Sequence, residues 1–379
     1  MVWMNTHDST TLIIASTGDS RFALLSAPSP AKIATTLAAA AATVSGDAFP
    51  IAEGLKGQLS LAVSAGGTIA YRVSQVDRGE RQLLWVDRTG REIERVVYPN
   101  SAAQGPALSH DGRNVAVARF VKGNMDVWSY DRKRGVWDRL TFDPGDDIYP
   151  LWSHDDKTMI FGAVRNGSRV LIYKRLIAAA PESEQPLMLG PGSDFYFPMD
   201  ISPDDRHLLL TGTGAGRNMD IWVTSLAEGA RAVELVATAA NEELAQFSPD
   251  GTWIAYQSDK TGSDEIYVRP FPGPGPDIRV SVAGGIQARW NPKGKELFYI
   301  AADDRMMAVP VTLGPGAADI DVGKAEGLFA TEIGSTVRLK FRQQYVVTPD
   351  GKSFLINSAI TESTTAPIIL ILNWKPPAR

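Results

Sequence analysis

Residues 247–281 read FSPDGTWIAYQSDKTGSDEIYVRPFPGPGPDIRVS, three short apolar runs parted by turn chemistry. In Ser248-Pro249-Asp250-Gly251 the proline presets φ, the aspartate bonds nearby backbone and the glycine accepts φ > 0, which together specify a tight turn. WIAYQS (253–258) mixes aromatic, β-branched and polar residues at strand length. IYVRPF (266–271) is a second strand, halted by PGPGP, through which no sheet can run. A lone hairpin of this kind is marginal in water. The segment needs neighbours.

Those neighbours are copies of itself. The turn returns as SAGG at Ser64, SHDG at Ser109, SHDD at Ser153, SPDD at Ser202, NPKG at Asn291 and TPDG at Thr348, at spacings of 43 to 57 residues. An apolar residue precedes each turn (Val63, Leu108, Trp152, Ile201, Phe247, Trp290, Val347), and a strand-like run follows it. A further run, such as MDVWSYD (125–131) or MDIWVTSL (219–226), comes later in each unit, and most units close on a third, more polar one. Counting the run before the turn, each unit has four strands, the signature of a β-propeller blade. One four-stranded sheet cannot bury both faces, so blades stack around an axis and cover one another. A helical solenoid would show a 3.6-residue stripe where β-branched residues, aromatics and Gly/Pro turns stand instead.

The expected fold is therefore all-β, a propeller of four-stranded antiparallel blades. Seven turns predict seven blades, with six or eight as alternatives. The last unit offers QYVVTP (344–349), SFLINS (353–358) and PIILILNW (367–374) but no fourth strand. DAFPIAEGL (47–55) is expected to supply it and latch the ring. The propeller then spans 47–375. Residues 1–46 are a poorly defined segment or a degenerate blade built on TLIIAST (11–17) and RFALLSA (21–27).

Composition narrows the function classes. Charged residues make up 21% of the 379 and the net charge is −5, with no basic stripe of the kind that binds nucleic acid. The absence of cysteine removes disulfides, thiol catalysis and thiolate metal sites. The longest weakly polar run, IATTLAAAAATV (33–44), falls short of the roughly 18 to 20 apolar residues of a membrane helix. The opening residues lack the basic-then-apolar order of a signal peptide.

LSHDGRNVAVAR, RLTFDPGDDIYPLWSHDD, FSPDGTWIAYQSDKTGSDEIYVRPFPGPG and ARWNPKGKELFYI resemble the WD-repeat-like (TolB-like) propellers of bacteria, from about Asp47 to Trp374. The nearest resemblance is to the propeller that follows the kinase domain in bacterial eukaryotic-like serine/threonine kinases. It implies an extracytoplasmic sensing or protein-interaction module. Kinase motifs are missing from this chain, as is the G-x-S-x-G elbow of a propeller-borne serine hydrolase.

Among polar residues, His110 and His154 occupy equivalent turns of adjacent blades, where a metal or acid/base pair competes with the expected reading of solvated turn residues. Trp85, Trp128, Trp222, Tyr173 and Tyr267 recur in one strand position, which favours blade packing over a ligand cage. The turn aspartates (Asp111, Asp155, Asp204, Asp250, Asp350) read as turn hydrogen bonding. No catalytic residue, metal site or cofactor is expected.

The segments leading into each blade's first strand should gather at one mouth of the central channel. Asp147, Tyr149, Asp194, Tyr196, Gln246, Arg289, Arg342 and Gln344 are the candidate rim for a protein, peptide or small polar ligand. Arg289 and Arg342 are expected to anchor a carboxylate, because guanidinium offers a bidentate fork. The alternative is an enzyme of lyase or lactonase type, holding a cation among Asp146, Asp194 and Glu242.

Overall fold

The computed structural model describes residues 81–359, less 97–102, 122, 166–168, 180–182, 188–194, 214–217, 228, 315–318, 332 and 334–342, together with strand segments between 3 and 74 and residues 369–371. The chain forms two compact units, one of residues 1–79 with 361–379 and one of residues 80–360.

In the first unit, β1 (Trp3–Asn5), β2 (Thr11–Thr17), β3 (Arg21–Ala27) and β4 (Leu55–Lys56) form one antiparallel sheet in chain order. TLIIAST and RFALLSA are thus a paired hairpin. β5 (Gln58–Val63) pairs β6 (Ile69–Ser74) in a second sheet.

The second unit is the propeller. β7 (Arg81–Asp87) and β8 (Glu92–Val96) come first but belong to the last sheet. The first complete blade is β9 (Ala103–Leu108), β10 (Asn114–Val121), β11 (Asn124–Asp131) and β12 (Val136–Arg139). The second is β13 (Asp147–Trp152), β14 (Thr158–Arg165), β15 (Arg169–Leu176) and β16 (Gln185–Leu187). The third is β17 (Tyr196–Ile201), β18 (His207–Thr213), β19 (Met219–Ser225) and β20 (Val233–Val236). The fourth, which contains the SPDG turn at Ser248, is β21 (Glu242–Phe247), β22 (Trp253–Ser258), β23 (Glu265–Pro270) and β24 (Ile278–Arg279).

The fifth blade holds β25 (Gly285–Trp290), β26 (Glu296–Ala301), β27 (Arg305–Leu313), β28 (Ile320–Val322) and β29 (Glu326–Ala330), and both β28 and β29 pair β27. That extra strand accounts for the longest turn-to-turn interval. β30 (Tyr345–Val347) and β31 (Ser353–Ala359) then join β7 and β8 in the order β30-β31-β7-β8. β32 (Ile369–Ile371) belongs to the first unit and pairs β6 there.

The ring therefore has six blades, and the expectation of seven is corrected. The first and last repeats each contribute half a blade to one sheet: Ser353–Ala359 pair with Asp87–Arg81 across seven positions. PIILILNW, expected as the last blade's third strand, pairs β6 instead. The expected latch is not seen in the ring: residues 47–54 lie outside the described residues, and Leu55–Lys56 pair β3. Inner strands β9, β13, β17, β21, β25 and β30 adjoin one another in that order, and β30 adjoins β9.

Apolar side chains from facing blades fill the interfaces. Trp253, Ile266 and Val268 pack against Trp290, Leu297 and Val309. Trp85, Trp222 and Tyr267 are at most 6% exposed, and Trp128 and Tyr173 pack at the edges of clusters, so the aromatic repeat belongs to the blade interfaces.

The turns are stapled from blade to blade by a simple rule. Their fourth residue always has φ > 0: Gly112, Asp156, Asp205, Gly251, Gly294 and Gly351. Where it is Asp, the preceding blade's turn carries His, whose backbone N–H a proline would lack. His110 N–H donates to Asp156 Oδ1 at 2.8 Å and His154 N–H to Asp205 Oδ1 at 3.0 Å. Where the preceding turn carries Pro (203, 249, 292, 349), the fourth residue is Gly. A Cβ on Gly251 would stand 3.4 Å from Pro203, and one on Gly112 3.4 Å from Pro349. The residue pairing holds at all six interfaces, including the closing one, although a Cβ on Gly294 would meet nothing within 4 Å and one on Gly351 would meet Asn291 rather than Pro292.

Converting one staple into the other type is informative. His110→Pro alone removes a donor and Asp156→Gly alone removes the acceptor, so each should cost about 1 kcal/mol. The double variant recreates the Pro–Gly pair and should recover most of that loss. Urea unfolding of the four proteins measures the coupling; additive losses would show that the two turns act independently.

Candidate functional site

The inner strands enclose a cavity of about 260 Å³, which the chain builds by position. Two residues before each turn stand Ala107, Leu151, Asp200, Gln246, Arg289 and Val346, and all six line it. Two residues further back, Gly105, Tyr149, Pro198 and Leu244 line it as well. Alternation would bring residues two apart to one face, but consecutive residues, 105–110 and 149–152, line the cavity, which alternation alone would not do. A register shift interrupts five inner strands, as between Ile148 and Leu151 and between Ile286 and Arg289. Gly105, Tyr149, Leu244 and Gln287 have φ between 53° and 59°. Such bulges re-aim side chains at barrel rims and binding sites.

The ring of six is polarised. Val346, Ala107 and Leu151 form an apolar arc; Asp200, Gln246 and Arg289 face it. Within the polar arc two members are structural: Phe247 N–H donates to Asp200 Oδ2 at 2.8 Å, and Trp290 N–H donates to Gln246 Oε1 at 2.8 Å. Each carries the next blade's backbone. Arg289 stands where the pattern would want an acceptor and has none to offer. It forms no hydrogen bond or ion pair with any described residue, and its Nε is buried without a partner.

Burial pulls the Arg289 guanidinium below its ordinary value, against the attraction of Asp200. Burial also pushes Asp200 up to about 6, opposed by Arg289 and by the Phe247 and Ile201 amides. His110 and His154 border the same cavity with ring centroids 4.1 Å apart, and their Nδ1 atoms lie 3.3 Å from Asp156 and 3.0 Å from Asp205. Expected as separate solvated turn residues, they are in ring contact.

The eight candidate rim residues part company. Tyr149, Gln246 and Arg289 line the cavity. Asp147 is fully buried and holds Arg165 Nη1 at 2.7 Å. Tyr196 is buried edge-on against Trp222. Gln344 is buried between blades: its N–H donates to Gln287 Oε1, and its own Oε1 accepts from Asn357. Asp194 and Arg342 lie outside the described residues. The acids considered for a cation are engaged elsewhere: Met125 N–H donates to Asp146, and Glu242 is buried against Thr238 and Ser258. Among the described residues no three His, Asp or Glu are grouped to hold a metal ion. Sequence reading passed over Asp200, although its place two residues before the turn equates it with Gln246 and Arg289.

The architecture is that of a TolB-like β-propeller. No family model matches the chain. Over 107 residues it is 29% identical to the Tol-Pal system protein TolB of Helicobacter pylori, a match covering 27% of this chain and a quarter (25%) of that protein. The solved TolB of Acinetobacter baumannii superposes with a TM-score of 0.50 at 14% identity, over 92% of this chain and 79% of that one. A TolB-type structure from Agrobacterium tumefaciens gives 0.55 at 14% identity, over 75% and 99%. At such identities the structural likeness is one of fold. Among the described residues no helix is long and apolar enough to cross a membrane.

Proposed function

We propose that this propeller is a non-catalytic protein-interaction module that takes a segment of its partner at the turn-side mouth of the channel. The observation carrying this reading is the size and lining of the cavity. About 260 Å³ lies below the roughly 300–1,000 Å³ of pockets that engulf a drug-sized molecule. It suits one or two side chains presented by a larger partner. Tyr149, Trp152, Trp290, His154 and Pro292 give it the aromatic and rigid lining that anchors such groups. The TolB likeness supports an interaction role, and the resemblance of the repeat sequences to kinase-appended propellers is the ground for a role in reporting an extracytoplasmic signal.

A photo-crosslinking residue at Pro292, exposed beside the cavity, tests this against one at Val282, 75% exposed on a loop that does not line it. In the host cell the mouth position should give a discrete crosslinked product that Val282 does not. Equal products, or none from the mouth, would refute the reading.

A further inference from the structure

We propose that the channel is a carboxylate-binding site in which Arg289 is the anchor. This rests on the reading above and deepens it by assigning the chemistry of the inserted group. Among the six equivalent ring positions, Arg289 alone carries a cation, and it is the polar member with no structural hydrogen bond. Arg289 is half-buried with its Nε enclosed and, among the described residues, is held only by the attraction of Asp200. A cation desolvated in this way without a direct contact is costly, and nothing in the staple or the packing requires this one. An anion arriving from the mouth would offset that cost through a forked, charge-assisted contact, for which guanidinium geometry is suited. The apolar arc of Val346, Ala107 and Leu151 would seat the short aliphatic stem that carries the carboxylate. A bare inorganic anion would leave that arc unfilled.

Asp200 sets the pH dependence. Its carboxylate shares the cavity and repels an incoming carboxylate, while Arg289 of the fifth blade and His110 of the first act on it across the channel. As pH falls from 7 through about 6, Asp200 takes up a proton, the repulsion disappears and binding tightens. Asn at this position keeps an oxygen for the Phe247 N–H. His110 and His154 also border the cavity; Asp200→Asn should therefore bind more tightly at pH 7 than the parent and show a smaller gain than the parent between pH 7 and 5.5.

The probes are glutarate, a pentapeptide with a free C-terminal carboxylate, its amidated form, and a doubly capped peptide containing one Asp, each titrated calorimetrically into the full chain. Binding by glutarate alone identifies a free small carboxylate as the ligand. Binding by the free-ended but not the amidated peptide identifies a chain terminus, and binding by the capped Asp peptide an acidic side chain. In each case Arg289→Gln should weaken binding at least tenfold, with Arg289→Lys between it and the parent. Two results overturn the proposal: no carboxylate probe binds the parent, or Arg289→Gln binds as the parent does while its melting temperature shows it folded. Should Arg289→Gln fail to fold, a parent that binds no more tightly at pH 5.5 than at 7, or an Asp200→Asn variant no tighter than the parent at pH 7, overturns it equally. A crosslink at Pro292 that survives these results would leave the interaction reading standing and remove only the carboxylate.

Discussion

Trp85→Ala should destabilise the propeller by about 3–5 kcal/mol, the range of a fully buried aromatic truncated in a core. Trp85 is 1% exposed and lies in β7, opposite Leu355 of β31, so its ring sits in the one sheet built from both ends of the ring. It packs on Val96, Val115, Val117 and Leu355, and the Arg132 guanidinium stacks 3.7 Å over its face. Truncation opens a cavity between the closing blade and the first, and it leaves Arg132 without its platform. Urea unfolding at pH 7 measures the loss. A cost below about 1 kcal/mol would place Trp85 at a surface and contradict closure through β7.

Asp220→Asn should act in the opposite direction, raising stability at pH 8 by about 2–3 kcal/mol. Asp220 is 4% exposed, and its Oδ1 has no hydrogen-bond partner among the described residues. Burial, reinforced by the charges of Glu242 and Glu234, pushes its carboxyl from 3.8 up to about 6. The folded state thus holds the proton more tightly than the unfolded one. Stability falls as pH rises from about 4 to 6 and stays lower above. Each tenfold difference in proton affinity between the two states is worth roughly 1.4 kcal/mol. Asn cannot ionise and escapes the penalty. The variant should match the parent near pH 4 and exceed it from pH 7 upward; a pH-independent difference would refute the assignment.

Much of this architecture was legible because turn chemistry is local. Ser-Pro-Asp-Gly specifies its turn whatever surrounds it, and an apolar residue before the turn with a strand after it follows in every copy. Blade number was not legible in the same way. IAYRVS and QLLWVDR read as successive strands of one repeat, yet they lie in different sheets, the second pairing β31. Composition cannot distinguish strand partners that are equally β-branched and aromatic. The rim was half legible for a related reason. Residues two before the turn face the channel, whereas Asp147 and Tyr196, six before it, are buried away from the cavity, because the intervening bulge resets the alternation. Tyr149 and Gln344 both stand four before a turn, yet only Tyr149 lines the cavity, and only Tyr149 has φ > 0. Nothing in the residue types announces where a bulge will fall.

The composite closing blade also orders events in time during synthesis. Arg81 Nη2 donates to the Asn357 carbonyl, 276 positions later in the chain. At roughly 5–20 residues per second, the ribosome needs about 15 to 55 s to deliver the second partner after the first. Throughout that interval β7 and β8 lack the β31 partner that completes their sheet and, as a lone hairpin, have only marginal stability, while the intermediate blades can already stack. The ring is thus completed only when the 353–359 segment has left the exit tunnel, and a chaperone that shields exposed strand edges would have its task at 81–96.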